Sequence, residues 1–184
     1  MVRRPSARGE DNDIVKPSNN KPGGEASVRK AGFEFEYEWE PFTCAGTHLT
    51  FDAHRTTRLD ARTCSHWGPA IYKWEGGIHE GPHAGGTGVL IGETGDLRQR
   101  IKQYVHGTQK SGNAYWRETF LTKGDIHLYV LRLGDTVCEV APRVSVTLPS
   151  DPTASGNLRL IYEQILVLEQ STRGEDVWIV NKNL

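Results

Sequence analysis

The sequence is poor in sulfur, in net charge and in long apolar runs. Across 184 residues there are three cysteines, Cys44, Cys64 and Cys138, and one methionine. The cysteine count is odd, the spacings are wide and no C-x-x-C pair occurs, which excludes a zinc ribbon and a thioredoxin-like motif. So low a density argues against a disulfide scaffold, and three free thiols in a reducing compartment give a cytoplasmic expectation. No apolar run approaches the roughly 18 residues that a membrane span needs. The basic start, Met-Val-Arg-Arg-Pro-Ser, lacks the apolar stretch of a secretory signal. A membrane partner is therefore not expected. Twenty-two Lys and Arg balance 23 Asp and Glu, for a net charge of −1. Taken whole, that balance excludes a strongly basic nucleic-acid coat protein.

What is present divides the chain in three. Residues 1–30 are rich in Pro, Gly, Asn, Ser and charge, with Val2, Ile14, Val15 and Val28 as their sizeable apolar residues. Such a leader buries too little to offset its ordering entropy and reads as disordered. Residues 31–68 form an extension that opens on FEFEYEWE. There Phe33, Phe35, Tyr37 and Trp39 alternate with four glutamates, the period of a half-buried edge strand. Residues 41–67 read as irregular, with one strand near 49–51. Residues 69–184 carry most of the apolar pattern.

Within this third part, 69–75 and 87–92 predict two strands joined by the Gly-rich connector GGIHEGPHAGG, an antiparallel hairpin with a long turn. Asp96, with Gln99 three residues on, marks a helix start. Leu97, Ile101, Tyr104 and Val105 form its apolar stripe, and Gly107 ends it. A second helix is predicted over 113–121, a buried strand over 125–133, and a long connection over 134–156 with a short hairpin around 144–148. Residues 157–170 predict a helix whose Leu158, Ile161, Ile165 and Leu168 face the core. Residues 176–181 read as a short closing strand or an extended tail. The fold class expected is α+β, a small antiparallel β-sheet flanked by α-helices.

Several motifs carry chemistry. His79-Glu80-Gly81-Pro82-His83 matches the H-E-x-x-H string of zinc proteases, which works only on a helix. Gly-Pro inside it is incompatible with one. From Arg98 to Lys123 six basic residues face one acid, Glu118, with Tyr104, Tyr115 and Trp116 interleaved. That composition suits phosphate contact and base stacking, or a solvated helix face. Glu163 lies at the edge of the apolar helix, with Arg159 four residues earlier. It reads as half of an i, i+4 ion pair or as a metal ligand.

In order along the chain, Ala70-Ile71-Tyr72, Leu90-Ile91-Gly92, Arg100 eight residues after Gly92, Glu163 on the later helix and Asn181 near the end together resemble the GIY-YIG nuclease family. Ala70 replaces the first Gly of the signature and Leu90 the second Tyr. The resemblance implies a metal-dependent endonuclease that hydrolyses DNA phosphodiester bonds. It implies Mg²⁺ or Mn²⁺ held by Glu163, Arg100 clamping the phosphate, and Tyr72 orienting or deprotonating the water. Tyr104 and His106 become candidates for the role left open by Leu90. Lys73, Arg98, Lys102 and Asn181, with Asn183 as its alternative, are expected at the substrate. The partner implied is DNA, bound by a monomer or a homodimer. The alternative that Leu90 motivates is a nucleic-acid-binding module of the same family with weak or lost cleavage.

Overall fold

The computed structural model describes residues 31–52, 57–106, 125–140, 144–147, 152–174 and 176–181. The predicted leader, the helix over 113–121 and the Gly107 stop lie outside them. The alternating aromatic and acidic segment forms β1 (Ala31–Pro41), with its glutamates exposed and Phe35, Tyr37 and Trp39 half-buried. Two two-residue strands, β2 (Thr43–Cys44) and β3 (Thr47–His48), make a small hairpin. They are followed by β4 (Ala70–Gly77), β5 (Thr87–Thr94), α1 (Leu97–His106), β6 (Ile126–Val140) and β7 (Val144–Thr147). A 3₁₀ turn (Pro152–Ala154), α2 (Gly156–Ser171) and β8 (Val177–Ile179) complete the order.

The main sheet runs β1-β6-β4-β5-β8, with β7 paired to the far end of β6. All pairings are antiparallel except β5 with β8. Neighbouring residues on β4 point to opposite faces, and this separates two cores. Ala70, Tyr72 and Trp74 pack with Phe42, Leu49, Phe51 and the α1 residues Leu97, Ile101 and Tyr104. Ile71 packs on the other face with Val89, Ile91, Leu131 and the α2 residues Tyr162, Leu166 and Val167. Trp74 is fully buried, with the rings of Phe51 and Tyr104 edge-on to it at 5.0 and 6.1 Å. Among the described residues, no helix is long and apolar enough to cross a membrane.

The expected α+β class, edge strand, hairpin of 69–75 with 87–92, helix start and closing strand are all present, the hairpin strands running Ala70–Gly77 and Thr87–Thr94. Asp96 Oδ1 accepts from the Gln99 amide at 3.0 Å, as the start signal requires. Four readings need correction. The strand placed at 125–133 continues to Val140, because β1 is long enough to pair along its whole length. A bulge absorbs the mismatch: Phe35 faces Thr136 but Tyr37 faces Leu133. The segment taken as irregular holds the β2–β3 hairpin and the buried Leu49 and Phe51. Cys44 and Cys64 are joined in a disulfide, so they are not free thiols, and the argument from thiols to the cytoplasm loses its premise.

The fourth correction concerns α2. Its buried residues are Arg159, Tyr162, Leu166, Val167 and Gln170, whereas Ile161 and Leu168 are 46% and 62% exposed. The helix is rotated from the expected stripe because Arg159 and Tyr162 are drawn inward by polar and ring partners on the sheet. Leu166→Ala should therefore cost about 2–5 kcal/mol, as for a core truncation. Leu168→Ala should stay within about 0.5 kcal/mol of wild type, both read by denaturant unfolding.

Candidate active site

One end of β4 and β5 meets α1 and α2, and four segments place polar side chains there. Tyr72 on β4 is the register partner of Gly92 on β5. Its phenol lies across the glycine: a Cβ at 92 would come within 2.5 Å of Tyr72 Oη. Any side chain there would displace the ring, which explains why the strand carries glycine at this point. Tyr104 Oη lies 3.0 Å from Tyr72 Oη. Leu90, where the family signature has tyrosine, is instead packed in the α1-side core. The hydroxyl beside Tyr72 is thus supplied by α1, one turn beyond Arg100.

Charge gathers around this phenol pair. Arg100 and Glu163 both act electrostatically on Tyr72 and Tyr104, and Arg100 acts on Glu163. Among the described residues, Arg100 Nε is buried and has no hydrogen-bond partner. Arg159, expected to pair with Glu163, instead donates from Nε to Glu93 Oε2 at 3.0 Å. Its Nη1 donates to the carbonyls of Thr153 and Ala154. Glu93, directly after Gly92, is thus a second carboxylate in the cluster. Its only sequence signal was its position beside the signature glycine.

These surroundings set the protonation states. Burial, followed by the charge of Glu93, raises the Glu163 carboxyl to about 7, against a lowering pull from Arg100. Burial also raises Tyr72, although Arg100 opposes it. Tyr104 is raised further, by burial and by Tyr72 beside it. Both phenols therefore remain neutral near pH 7, and a neutral phenol does not deprotonate a water, a role the resemblance allowed for Tyr72.

The other expected site residues divide. Lys73 follows Tyr72 on the strand and so faces the opposite side. It is buried, with Nζ 2.6 Å from Glu75 Oε2 and above the rings of Trp39 and Tyr129. It is not available to substrate. Asn181 is likewise committed: Ile91 N donates to Asn181 Oδ1 at 3.0 Å and Asn181 Nδ2 donates to Ile91 O at 2.7 Å. It positions β5. Asn183 and the side chain of His106 lie outside the described residues. Arg98 and Lys102 are exposed on α1. At 100° per residue they occupy the flank away from Arg100, so they do not join the cluster. His79 and His83 sit in the non-helical loop between β4 and β5. His79 lies 3.9 Å from Asp125, and His83 stacks on Trp178 at 4.5 Å.

No group of three or more His, Cys, Asp or Glu converges among the described residues. A zinc-type cage is therefore not formed by them. Glu163, half-buried with a second carboxylate in its field, fits a hard divalent ion that takes few protein ligands and keeps its waters. Comparison with protein-family models, with curated proteins and with solved structures gave no match.

The raised Glu163 carboxyl has a consequence for stability. Between its ordinary value of 4.5 and about 7, the unfolded chain releases its proton before the folded one does. The Glu163 contribution to stability therefore falls as pH rises through this window and levels off above it. Glu163→Gln should remove this decline, so the variant gains stability relative to wild type as pH rises from about 4.5 to about 7, read by chemical denaturation.

Proposed function

We propose that this protein is a metal-dependent endonuclease of the GIY-YIG type that hydrolyses DNA phosphodiester bonds. The observation that carries the proposal is the convergence of Tyr72 from β4, Arg100 and Tyr104 from α1 and Glu163 from α2 at one end of the sheet. Hydrolysis of a phosphodiester needs a placed water, compensation of the charge that develops on phosphoryl oxygens, and help for the leaving oxygen. Arg100 answers the second need, because a guanidinium with an uncommitted donor is suited to a non-bridging oxygen. The two phenols answer the first. They share one hydrogen bond, so if Tyr104 donates, the Tyr72 proton remains free for a water or a phosphate oxygen.

Glu163 is the residue that would hold Mg²⁺ or Mn²⁺. When bound, such an ion supplies charge stabilisation at a phosphoryl oxygen and at the leaving group. Glu163 must lose its proton to bind it, and that proton leaves only near pH 7. Glu93, held by Arg159, is the second carboxylate that acts on it. The hydroxyl of Tyr104 stands in for the one missing at Leu90, which favours cleavage over binding alone.

Supercoiled plasmid with Mg²⁺ tests the proposal. Wild type should nick it, and Glu163→Gln and Arg100→Ala should each lower the rate by about 100-fold or more. At limiting Mg²⁺ the wild-type rate should rise with pH through about 7, as Glu163 ionises. Absence of nicking by wild type, or full activity in both variants, would refute the proposal.

A further inference from the structure

Trp67 is the one exposed tryptophan among the described residues, at 41%. The segment that carries it is held on both sides. The Cys44–Cys64 disulfide joins it to β2. Ser65 N donates to Thr43 O, and Ala45 N donates to Thr63 O, both at 2.8 Å. On the other side Gly68, at φ +117°, turns its carbonyl to accept from Leu97 N at 2.9 Å. A side chain at 68 would rarely adopt that backbone conformation. The indole is thus presented from an anchored loop at the start of α1.

The Arg98 guanidinium lies over the Trp67 ring, 5.1 Å from its centre. Lys102, one turn further along α1, shares this exposed flank. The nearby acid in the sequence, Asp96, spends a carboxylate oxygen on the Gln99 amide. An exposed aromatic face beside two cations that pair with no acid among the described residues suits a polyanion that carries flat rings.

We infer that Trp67, Arg98 and Lys102 form a second nucleic-acid contact, in which Trp67 stacks on an unpaired or unstacked base and the two cations meet the adjoining phosphates. It rests on the nucleic-acid partner of the function proposed above, but not on cleavage. It lies across α1 from Arg100, so it binds DNA away from the scissile bond and selects for locally opened duplex.

Fluorescence anisotropy with a labelled short duplex, and with the same duplex carrying a central unpaired bubble, tests this. Trp67→Ala should weaken binding to the bubble about tenfold or more, and to the perfect duplex less than about threefold. Trp67→Phe should retain most of the bubble affinity. Arg98→Ala should weaken both and lower their salt dependence. An unchanged thermal midpoint in Trp67→Ala excludes misfolding as the cause. Bubble affinity equal to wild type in Trp67→Ala would overturn the inference while leaving plasmid nicking untouched. Wild type that binds the bubble without nicking plasmid would sink the nuclease proposal and not this contact. Wild type that binds neither DNA would overturn both.

Discussion

The hydrogen bond between Tyr72 and Tyr104 is the contact on which the rest of the candidate site depends. It joins the central strand to α1 inside a core from which both phenols are almost wholly excluded from water. A buried hydroxyl left without a partner costs on the order of 1–3 kcal/mol, so each phenol fixes the other. That fixes the rotation of α1 over the sheet. Leu97, Ile101 and Tyr104 then face inward, and Arg100 is carried to the flank where α2 supplies Glu163. Gly92 completes the arrangement, because only the missing Cβ leaves room for the Tyr72 ring.

Around this neutral pair stand two guanidiniums and two carboxylates. Arg159 and Glu93 form a direct ion pair, extended by backbone carbonyls of the 3₁₀ turn. Arg100 and Glu163 are less fully matched: one has a buried nitrogen without a partner among the described residues, and the other has a carboxyl raised by burial. A region tuned only for stability would not keep both of these unmet demands side by side, whereas anion and cation binding would each relieve one of them. The edge of β5 is guarded separately. Beyond the short pairing with β8, the Asn181 amide takes over the backbone hydrogen bonds of Ile91.

The strands β1, β4 and β5 and the start of α1 were legible because they depend on local pattern. FEFEYEWE alternates strictly, and Asp96 and Gln99 have the spacing of a helix cap. The clustering of Tyr72, Arg100, Tyr104 and Glu163 could be anticipated only through an ordered resemblance. Features set by tertiary partners were not legible. The inward turn of α2 follows from Glu93 attracting Arg159, a residue 66 positions away. Strand alternation already sends Lys73 to the face opposite Tyr72, but the aromatic and acidic niche that receives it there depends on β1 and β6. Asn181 is a polar residue near the end of the chain, and its use as a backbone clamp depends on where β8 docks. The Cys44–Cys64 bond joins residues 20 apart, and a wide, odd set of three cysteines does not identify the pair.

The central claim is that Glu163 sits in one electrostatic unit with Glu93 and Arg100 and is poised to exchange a proton for a divalent ion. The most direct measurement is a carboxyl carbon NMR titration of Glu163 in the folded protein, with and without Mg²⁺. The account predicts a midpoint near 7 in the metal-free protein, falling when Mg²⁺ is added. A midpoint at the ordinary 4.5, unmoved by Mg²⁺, would contradict it.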